Sequence, residues 1–334
     1  MGMSENRWQK ENFVFRLKSP LHIGYMPFKG SVVSPTRYYV PGRNFWGAVT
    51  KRITEHLCKV PEADDYKKIG KQVMENFRFS YFYLYDGKTI YLPHYIDKGM
   101  KYGNITKAEF EHRFIGCIVS TGIEDETRTA KDKSLHEIEF INNRFRDENG
   151  DIKPVMIAGC IWIKKDAKIN DKDFKIDNGI FIDNIISELI LGGESKYGFG
   201  HVQLASGVEF PKTAPFKWGD IPEKIEIKQG KPLVAHLKYN RNMKFEGNIE
   251  LFTGIGFYDP KKLQEKDTTE ENGNICSNKS SDGKKESEGA EKPERIISKP
   301  EFYFSPGTVL EEDINCKLNW DGTLEECYNA NAPH

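Results

Sequence analysis

The run PVMIAGCIWIKK, residues 154 to 165, constrains the fold of this chain more than any other stretch. Its first ten residues carry no charge and are almost all apolar. A strand with one face in water alternates apolar and polar residues, whereas a strand covered on both faces is nearly continuous in apolar residues. We therefore predict a strand here that lies inside a layered fold.

Other segments have the periods of strands and helices. FVFRLK (13 to 18) and HVQLASGVEF (201 to 210) alternate as strands do, and the first has a partly basic outer face. FRFSYFYLYDGKTIYLPHY (77 to 95) predicts a hairpin with a type I′ turn at Asp86-Gly87, because that turn needs positive φ at both central residues.

Two segments place apolar side chains at three- and four-residue steps, which predicts helices. The first runs from Phe45 to Leu57, with Asn44 as a candidate cap. The second covers residues 182 to 190, with Asp177 or Asn178 as a cap and Gly192 just past its end.

The order of these elements approximates the βαββαβ plan, so the predicted fold class is α+β with a ferredoxin-like (RRM-like) domain over residues 1–210. Residues 112–151 are polar with few strand signals and are predicted to form an insertion. Residues 211–334 are predicted to be a β-rich region, either a second ferredoxin-like half or an elaboration of the first. Within it, residues 264–293 contain no aromatic side chain and are predicted to be a disordered insertion.

Composition excludes several classes of protein. Hydrophobic residues make up 38% and charged residues 30%, which fits a globular chain. The six cysteines show no C-x-x-C spacing, so neither a disulfide framework nor a zinc site is indicated. No run approaches the roughly 20 apolar residues of a membrane span. A soluble protein in the reduced cytoplasm, with no metal and no cofactor, is the prediction.

Charge is unevenly distributed along the chain. Residues 1 to 60 hold ten Lys or Arg against three Asp or Glu, while residues 259 to 334 hold ten against seventeen. This asymmetry indicates a basic working surface near the N-terminus and an acidic C-terminal region, or only a solvated basic face.

The stretch GGESKYGFGHV (192 to 202) has four glycines but is not a P-loop. Gly193 and Gly198 have the P-loop spacing, yet Phe199-Gly200 stand where Lys-Ser/Thr is required, and the loop precedes a strand instead of a helix. Two interpretations are left. The loop is either a helix end, which accounts for one or two glycines, or a phosphate-contacting loop with Lys196 for charge and Tyr197 or Phe199 for base stacking.

Basic and aromatic residues alternate around the first predicted loop and helix. Such a mixture suits single-stranded RNA, because phosphates take the charges and unstacked bases take the rings. His22 in this loop is either a general acid or base for RNA cleavage, or a hydrogen-bonding residue. The basic residues are Lys18, Lys29, Arg37, Arg43, Lys51 and Arg52, and the rings are Tyr25, Phe28, Tyr38, Tyr39 and Trp46.

Four motifs in chain order resemble the RAMP superfamily of CRISPR-associated RNA-binding proteins. They are SPLHIG (19 to 24), YVPGRNFWGAVTKRI (39 to 53), ETRTAKDKSLHEIEFI (126 to 141), which is similar to the thumb of type III subunits, and GGESKYGFGHV (192 to 202). Arg128 stands where the thumb motif usually has glycine.

The resemblance implies a ferredoxin-like fold that binds guide RNA in a type III effector complex, with neighbouring subunits and target RNA as further partners. The RNA-binding residues that it and the composition suggest are His22, Lys29, Arg37, Arg43, Asn44, Lys51, Arg52, Gly192, Gly193, Ser195, Lys196, Tyr197, Gly198, Phe199, Gly200 and His201. The thumb residues implied to contact target RNA are Arg128, Thr129, Lys131 and Lys133.

Catalysis is where the chain departs from slicing relatives. Those relatives use an aspartate in the loop after the first strand, but residues 19 to 42 contain no Asp or Glu. We therefore predict RNA binding without cleavage and no catalytic residue. Two alternatives stay open: a metal-independent endoribonuclease that processes guide RNA with His22, and a scaffold whose acidic C-terminal region binds protein.

Overall fold

The computed structural model describes residues 7–25, 32–130, 134–176, 180–210, 219–252 and 301–327. The helices in these ranges are α1 (Gly42–Leu57), α2 (Ala63–Asn76) and α3 (Lys107–Phe114), with a π-helical turn over Ile180–Ile186 and a 3₁₀ turn over Ser195–Tyr197. No helix in the described ranges has the length and hydrophobicity needed to cross a bilayer.

The strands up to residue 204 are β1 (Trp8–Leu17), β2 (Val33–Ser34), β3 (Tyr39–Val40), β4 (Phe77–Phe79), β5 (Phe82–Tyr85), β6 (Pro93–Ile96), β7 (Gly99–Tyr102), β8 (Ile105–Thr106), β9 (Ile115–Ser120), β10 (His136–Ile141), β11 (Arg144–Arg146), β12 (Ile152–Pro154), β13 (Met156–Lys164), β14 (Lys168–Ile169), β15 (Lys172–Asp173), β16 (Glu188–Ile190) and β17 (His201–Leu204). The later strands are β18 (Ile225–Ile227), β19 (Leu237–Lys238), β20 (Phe245–Glu246), β21 (Ile249–Phe252), β22 (Glu301–Phe304), β23 (Val309–Leu310), β24 (Ile314–Leu318) and β25 (Leu324–Glu326).

A seven-stranded sheet is the centre of the molecule. Its order is β16-β17-β1-β13-β5-β3, with β4 beside β5 on β13, and each neighbouring pair is antiparallel. β1 and β13 pair along their whole length, from Trp8 opposite Lys164 to Arg16 opposite Met156. Every residue of β13 except the last is buried, which confirms the strand predicted from the apolar run.

Helices cover one face of this sheet. Phe45 of α1 lies with its ring centroid 5.5 Å from that of Phe15 on β1 and 3.8 Å from that of Phe82 on β5. Offset aromatic contacts of this kind add to the free energy gained by burying the rings. The helix is therefore fixed on the sheet by its first turn.

The C-terminal strands cover the opposite face. Val14, Tyr83 and Trp162 of the central sheet share one buried apolar cluster with Leu237 and Leu324 of the C-terminal sheet, whose order is β18-β24-β25-β19-β22-β21. The predicted outer face of β1 is therefore wrong at Val14, which is buried, and right at Arg16, which is exposed.

The expected boundary near residue 211 does not separate two compact units. Among the described residues, those from 7 to 250 and from 302 to 327 belong to one compact unit. Within 219–252 and 301–327 the regular elements are all strands, so a second ferredoxin-like half with its own helices is not seen there. The expected disordered insertion at 264–293 lies outside the described residues.

Two helix predictions need correction. Residues 180–186 form a π-helical turn, and Glu188–Ile190 then form β16, so the helix over 182–190 is wrong. A short apolar run does not by itself distinguish a strand from a helix, and here the pairing of β16 with β17 decides the conformation. α1 begins at Gly42 after Pro41, which places Asn44 inside the first turn instead of at the cap.

The hairpin and the insertion also differ from expectation. β5 and the following segment meet only at Tyr85 opposite Ile90, because residues 93–96 join a separate sheet with β7. At the turn only Gly87 has positive φ, at +97°, so the turn is not type I′. The insertion at 112–151 contains the last three residues of α3 and all of β9–β11, more regular structure than its polar composition indicated.

A buried ion pair joins the segment before β3 to the C-terminal strands. Nη1 of Arg37 donates to Oε1 of Glu250 at 3.0 Å, and the two side chains are 6% and 9% exposed. His236, which also contacts Tyr81 Oη at 2.5 Å through Nδ1, bonds the same carboxylate. Burial opposes ionisation of Glu250, but His236 and Arg37 outweigh it and lower the pKa of Glu250 below its usual 4.5.

We predict that Glu250→Gln lowers the free energy of unfolding by roughly 3–5 kcal/mol at neutral pH, because it leaves the buried Arg37 charge without its partner. A carboxylate with a lowered pKa in the folded state stabilises the fold at pH values above its unfolded-state pKa. This stabilisation is lost as the pH falls from the unfolded-state pKa through the folded-state pKa. The difference between wild type and variant should therefore shrink progressively as pH falls from about 4.5 towards the folded-state pKa of about 2. Urea unfolding at several pH values measures this.

Glu325→Gln is the matched control, since Glu325 pairs with Lys317 at 3.1 Å but is 41% exposed. It should cost less than about 1 kcal/mol. Equal losses for the two variants at neutral pH would contradict the role assigned to the buried pair.

Candidate nucleic-acid interface

The glycine-rich loop, residues 192–200, lies directly against the segment that follows β1. The N–H of Gly193 donates to the carbonyl of His22 at 2.9 Å, and the N–H of Gly200 donates to that of Pro20 at 2.7 Å. A Cβ atom on Gly192 would lie 2.1 Å from the His22 oxygen, and one on Gly200 would lie 2.0 Å from the Leu191 oxygen. Both glycines also have positive φ, +75° and +84°, so no other residue fits these two positions without a shift of the backbone.

Most of the backbone donors in the loop are used internally. Besides Gly193 and Gly200, the N–H groups of Tyr197, Gly198 and Phe199 donate to carbonyls of Glu194 or Ser195 at 2.9 to 3.4 Å. Five of the nine N–H groups of the loop are therefore bonded within the protein. Gly192 and Gly200 shape the loop, and contact of Gly192, Gly193, Gly198 and Gly200 with RNA stays a prediction.

The loop directs three side chains to solvent. Ser195 and Lys196 are exposed, and the Tyr197 ring is 73% exposed. Phe199 is instead half-buried, with its ring 5.3 Å from that of Phe140 on β10. Of the two rings proposed for base stacking, Tyr197 is therefore the accessible one.

A second group of polar side chains lies where β17 meets α1. His201 follows the loop and contacts Glu188 at 3.4 Å, while Lys51 and Arg52 of α1 line the same cavity of about 180 Å³. Lys51 and Arg52 each lie 3.8 Å from Glu55, and Arg52 also donates to the carbonyl of Asn184 at 2.9 Å. The predicted residues are brought together here, but two carboxylates partly neutralise them.

The first residues of α1 lie away from the glycine loop. Arg43 lies over the Trp320 ring of the C-terminal region, 5.3 Å from its centroid. Asn44 is half-buried in the first turn of the helix. Lys51 is eight residues further on, about 12 Å along the helix axis. Arg43 and Asn44 therefore do not belong to the group around the glycine loop.

Two predicted RNA contacts are interior residues. Arg37 forms the ion pair with Glu250 described above. His22 is only 4% exposed, and its Nδ1 donates to the carbonyl of Glu139 at 2.7 Å. Both side chains hold segments of the fold together, and neither is presented to a ligand at the surface. Lys29 lies outside the described residues.

β9 and β10 form an antiparallel arm whose outer end carries the thumb motif. Arg128 and Thr129 are exposed there, in a small loop closed by Glu124 N–H to Thr129 O and Arg128 N–H to Glu124 O, both 2.9 Å. Arg128 has a φ of +54°, in the region that favours glycine. Lys131 and Lys133 are outside the described residues.

The sequence interpretation missed residues that adjoin the loop. Lys18 is exposed, its N–H donates to the carbonyl of His201 at 2.8 Å, and its carbonyl accepts from Nδ2 of Asn143 at 3.1 Å. The sequence pattern includes Lys18 among the basic residues but does not place it at the site, and it gives no signal for Asn143 or its neighbour Arg144. Only the antiparallel pairing of β1 with β13 and β17 brings them together, so periodicity alone gave no signal.

Other chemistry is not indicated in the described part of the chain. No cluster of three His, Cys, Asp or Glu side chains there is arranged to hold a metal ion. Cys58, Cys117, Cys160, Cys316 and Cys327 are free thiols.

The chain matches no protein-family model and no curated protein. Among solved structures it is similar to a chain of a type III-B Cmr-β complex bound to cognate target RNA, with 9% identity and a TM-score of 0.48 over 90% of this chain and 86% of that one. A chain of the same complex with target RNA and AMPPNP in state 1 has 10% identity and a TM-score of 0.49, over 90% of this chain and 86% of that one. A chain of the complex in its apo state has 11% identity and a TM-score of 0.37, over 60% of this chain and 98% of that one. Similarity at this level establishes no activity, so the function is inferred from the residues themselves.

We predict that Gly200→Ala destabilises the protein by more than about 2 kcal/mol, because it combines positive φ with a Cβ clash on backbone. Gly198→Ala is the control: Gly198 also has positive φ, +81°, but a Cβ there meets nothing within 4 Å. That variant should lose only about 1 kcal/mol. Thermal unfolding of both variants tests the packing of the loop, and equal losses would contradict it.

Proposed function

We propose that this chain is a non-slicing subunit of a type III CRISPR effector, the ribonucleoprotein class that recognises target RNA in antiviral defence. In this role it binds the backbone of guide RNA and contacts neighbouring subunits in the cytoplasm. The observation that carries the proposal is the packing of the glycine loop on residues 18–22, with Lys196 and Tyr197 exposed between the packed ends of the loop and Lys18 bonded to His201 just after it. Two of the four motifs that resemble RAMP proteins therefore form one surface.

A ferredoxin-like core is part of the proposal. The plan requires an antiparallel sheet in which the fourth strand lies beside the first and the third lies between the first and the second. The strand order here is β17, β1, β13 and then the β4–β5 pair, and α1 covers one face of this sheet. The π-helical turn before β16 occupies the place of the second helix.

The backbone conformation at the tip of the β9–β10 arm supports its assignment as a thumb. Arg128 replaces the glycine of the family motif, and its φ of +54° is a conformation that glycine adopts without cost. The arm begins beside the loop, since Leu21 bridges Ile141 and the His22 ring bonds Glu139. We propose that Arg128 and Thr129 contact target RNA while Lys196 and Tyr197 contact the guide.

Cleavage is not part of the proposed function. Residues 19 to 42 lack a carboxylate, so this loop offers no group to orient a metal or to assist a 2′-hydroxyl. The alternative nuclease depends on His22, which is buried with Nδ1 already bonded to a carbonyl. A general base must reach the proton that it takes, and the interior position of His22 favours binding alone.

We predict that the purified protein binds single-stranded RNA at low salt and that Lys196→Ala weakens this binding and lowers the slope of log K against log salt by about 0.7, the value for one phosphate contact. Tyr197→Ala should cost roughly 1–3 kcal/mol if a base stacks on the ring. Fluorescence anisotropy over a salt series measures both. Lys231→Ala and Tyr239→Ala are controls, since both residues are exposed at a distance along the chain. No RNA binding at low salt would overturn the proposal.

We predict that neither wild type nor His22→Ala cleaves labelled guide-repeat RNA, and that His22→Ala lowers the unfolding midpoint because it removes the bond to Glu139. Gel analysis of the RNA with and without divalent metal tests this. Cleavage by wild type that the substitution abolishes would restore the endoribonuclease alternative.

A further inference from the structure

A groove that the proposed function does not use lies between α3 and the β11–β12 hairpin. It encloses about 810 Å³, and Arg113, Arg144, Arg146 and His112 are among the residues that line it. We call it the α3 groove. Its volume falls in the range of ligand sites in proteins, roughly 300–1,000 Å³.

The basic side chains come from two elements. Arg144 and Arg146 are two residues apart on β11, so they project from the same face, and both are exposed while Phe145 between them is buried. Arg113 of α3 lies over the Phe145 ring at 4.7 Å from its centroid and 3.9 Å from Oδ2 of Asp86. A planar guanidinium suits the oxygens of a phosphate group, so this arrangement fits an anionic ligand.

The acidic residues of the groove are largely committed to other bonds. Oε2 of Glu109 accepts the N–H and the hydroxyl of Thr106, both at 2.8 Å, as part of the cap of α3. Oδ1 of Asp147 accepts the N–H groups of Asn149 and Asp151 at 3.0 and 2.9 Å. With Glu148, the groove is lined by three carboxylates and three guanidinium groups, which balance in formal charge, so the attraction for an anion is local to the exposed Arg144 and Arg146.

The α3 groove continues from the glycine loop. Asn143, directly before Arg144, donates to the carbonyl of Lys18, whose own N–H donates to His201 at the end of the loop. Lys18, Arg144 and Arg146 are all exposed. The backbone of Lys18 therefore connects the end of the glycine loop to the residue before β11, the strand that carries Arg144 and Arg146.

The groove wall also has apolar surface for a sugar or base. Ala108 and Ile152 line it, and Ile152 is 57% exposed. An inorganic anion alone would leave this surface in water. A nucleotide uses both parts, the phosphate on the guanidinium groups and the ribose or base on the apolar wall.

We propose that the α3 groove binds a nucleotide of the same single-stranded RNA that the glycine loop contacts, with Arg144 and Arg146 on its phosphodiester. The proposal rests on the proposed function in one respect, that this chain binds RNA. It adds a second contact to the path of the RNA, at residues outside the four motifs.

The test compares charge-matched double variants of the full chain in RNA-binding titrations over a salt series. Arg144→Gln/Arg146→Gln should weaken binding roughly tenfold and lower the salt slope by about 1.4, the value for two phosphate contacts. Lys224→Gln/Lys231→Gln removes the same charge from exposed positions elsewhere and should change affinity less than about twofold. Glu148→Gln should tighten binding, because it removes the uncommitted carboxylate.

The outcomes separate the two claims. If wild type binds no RNA, the proposed function fails and the groove proposal fails with it. If wild type binds and Lys196→Ala weakens binding, but Arg144→Gln/Arg146→Gln behaves like the lysine control, the groove proposal alone is wrong. A second measurement needs no variant: RNA should protect Arg144 and Arg146 of wild type from modification by phenylglyoxal, read by mass spectrometry. Unchanged modification of both would also overturn the proposal.

Discussion

The close approach of the glycine loop to the segment after β1 is the contact on which the proposed interface depends. Gly192 and Gly200 have no room for a Cβ because carbonyl oxygens of His22 and Leu191 occupy that space. The contact fixes the ends of the loop, and the 3₁₀ turn between them then presents Ser195, Lys196 and Tyr197. It also sets Lys18 beside the loop, and through Asn143 it links the loop to β11.

The covering of the central sheet on both faces limits where the proposed RNA contact can lie. A four-stranded sheet of the RRM type binds bases with aromatic side chains on its open face. Here the corresponding face carries Tyr39, Tyr81 and Tyr83, but all three are buried under the C-terminal strands. The aromatic residues of this face therefore serve packing, and the RNA contacts that we propose lie at loops and edges, with Tyr197 and the exposed cations.

The sequence predicted the parts of the fold that depend on strong local patterns. β13 followed from a run without charge, and α1 followed from apolar spacing that its buried Phe45, Val49 and Ile53 confirm. The helix predicted at 188–190 follows from apolar spacing that a helix also has. The segment is instead a strand because it pairs with β17, and a local pattern does not show that pairing. α2 was not predicted, since its buried face is limited to Ile69, Gly70 and Val73.

The site was predictable only in part. The contact of the glycines with RNA stays a prediction, while their role in packing depends on the position of His22 and the burial of Arg37 depends on its distant partner Glu250. A basic residue in a sequence gives no indication of whether its partner is a ligand or a carboxylate more than two hundred residues away.

Ultraviolet cross-linking of single-stranded RNA to the wild-type protein, with the cross-linked peptides mapped by mass spectrometry, tests the central claim most directly. If the loop is the RNA contact, the peptide that carries Lys196 and Tyr197 is cross-linked at low salt and the yield falls as salt rises. Cross-links confined to residues 219–252 and 301–327, with the loop peptide unmodified, would contradict it.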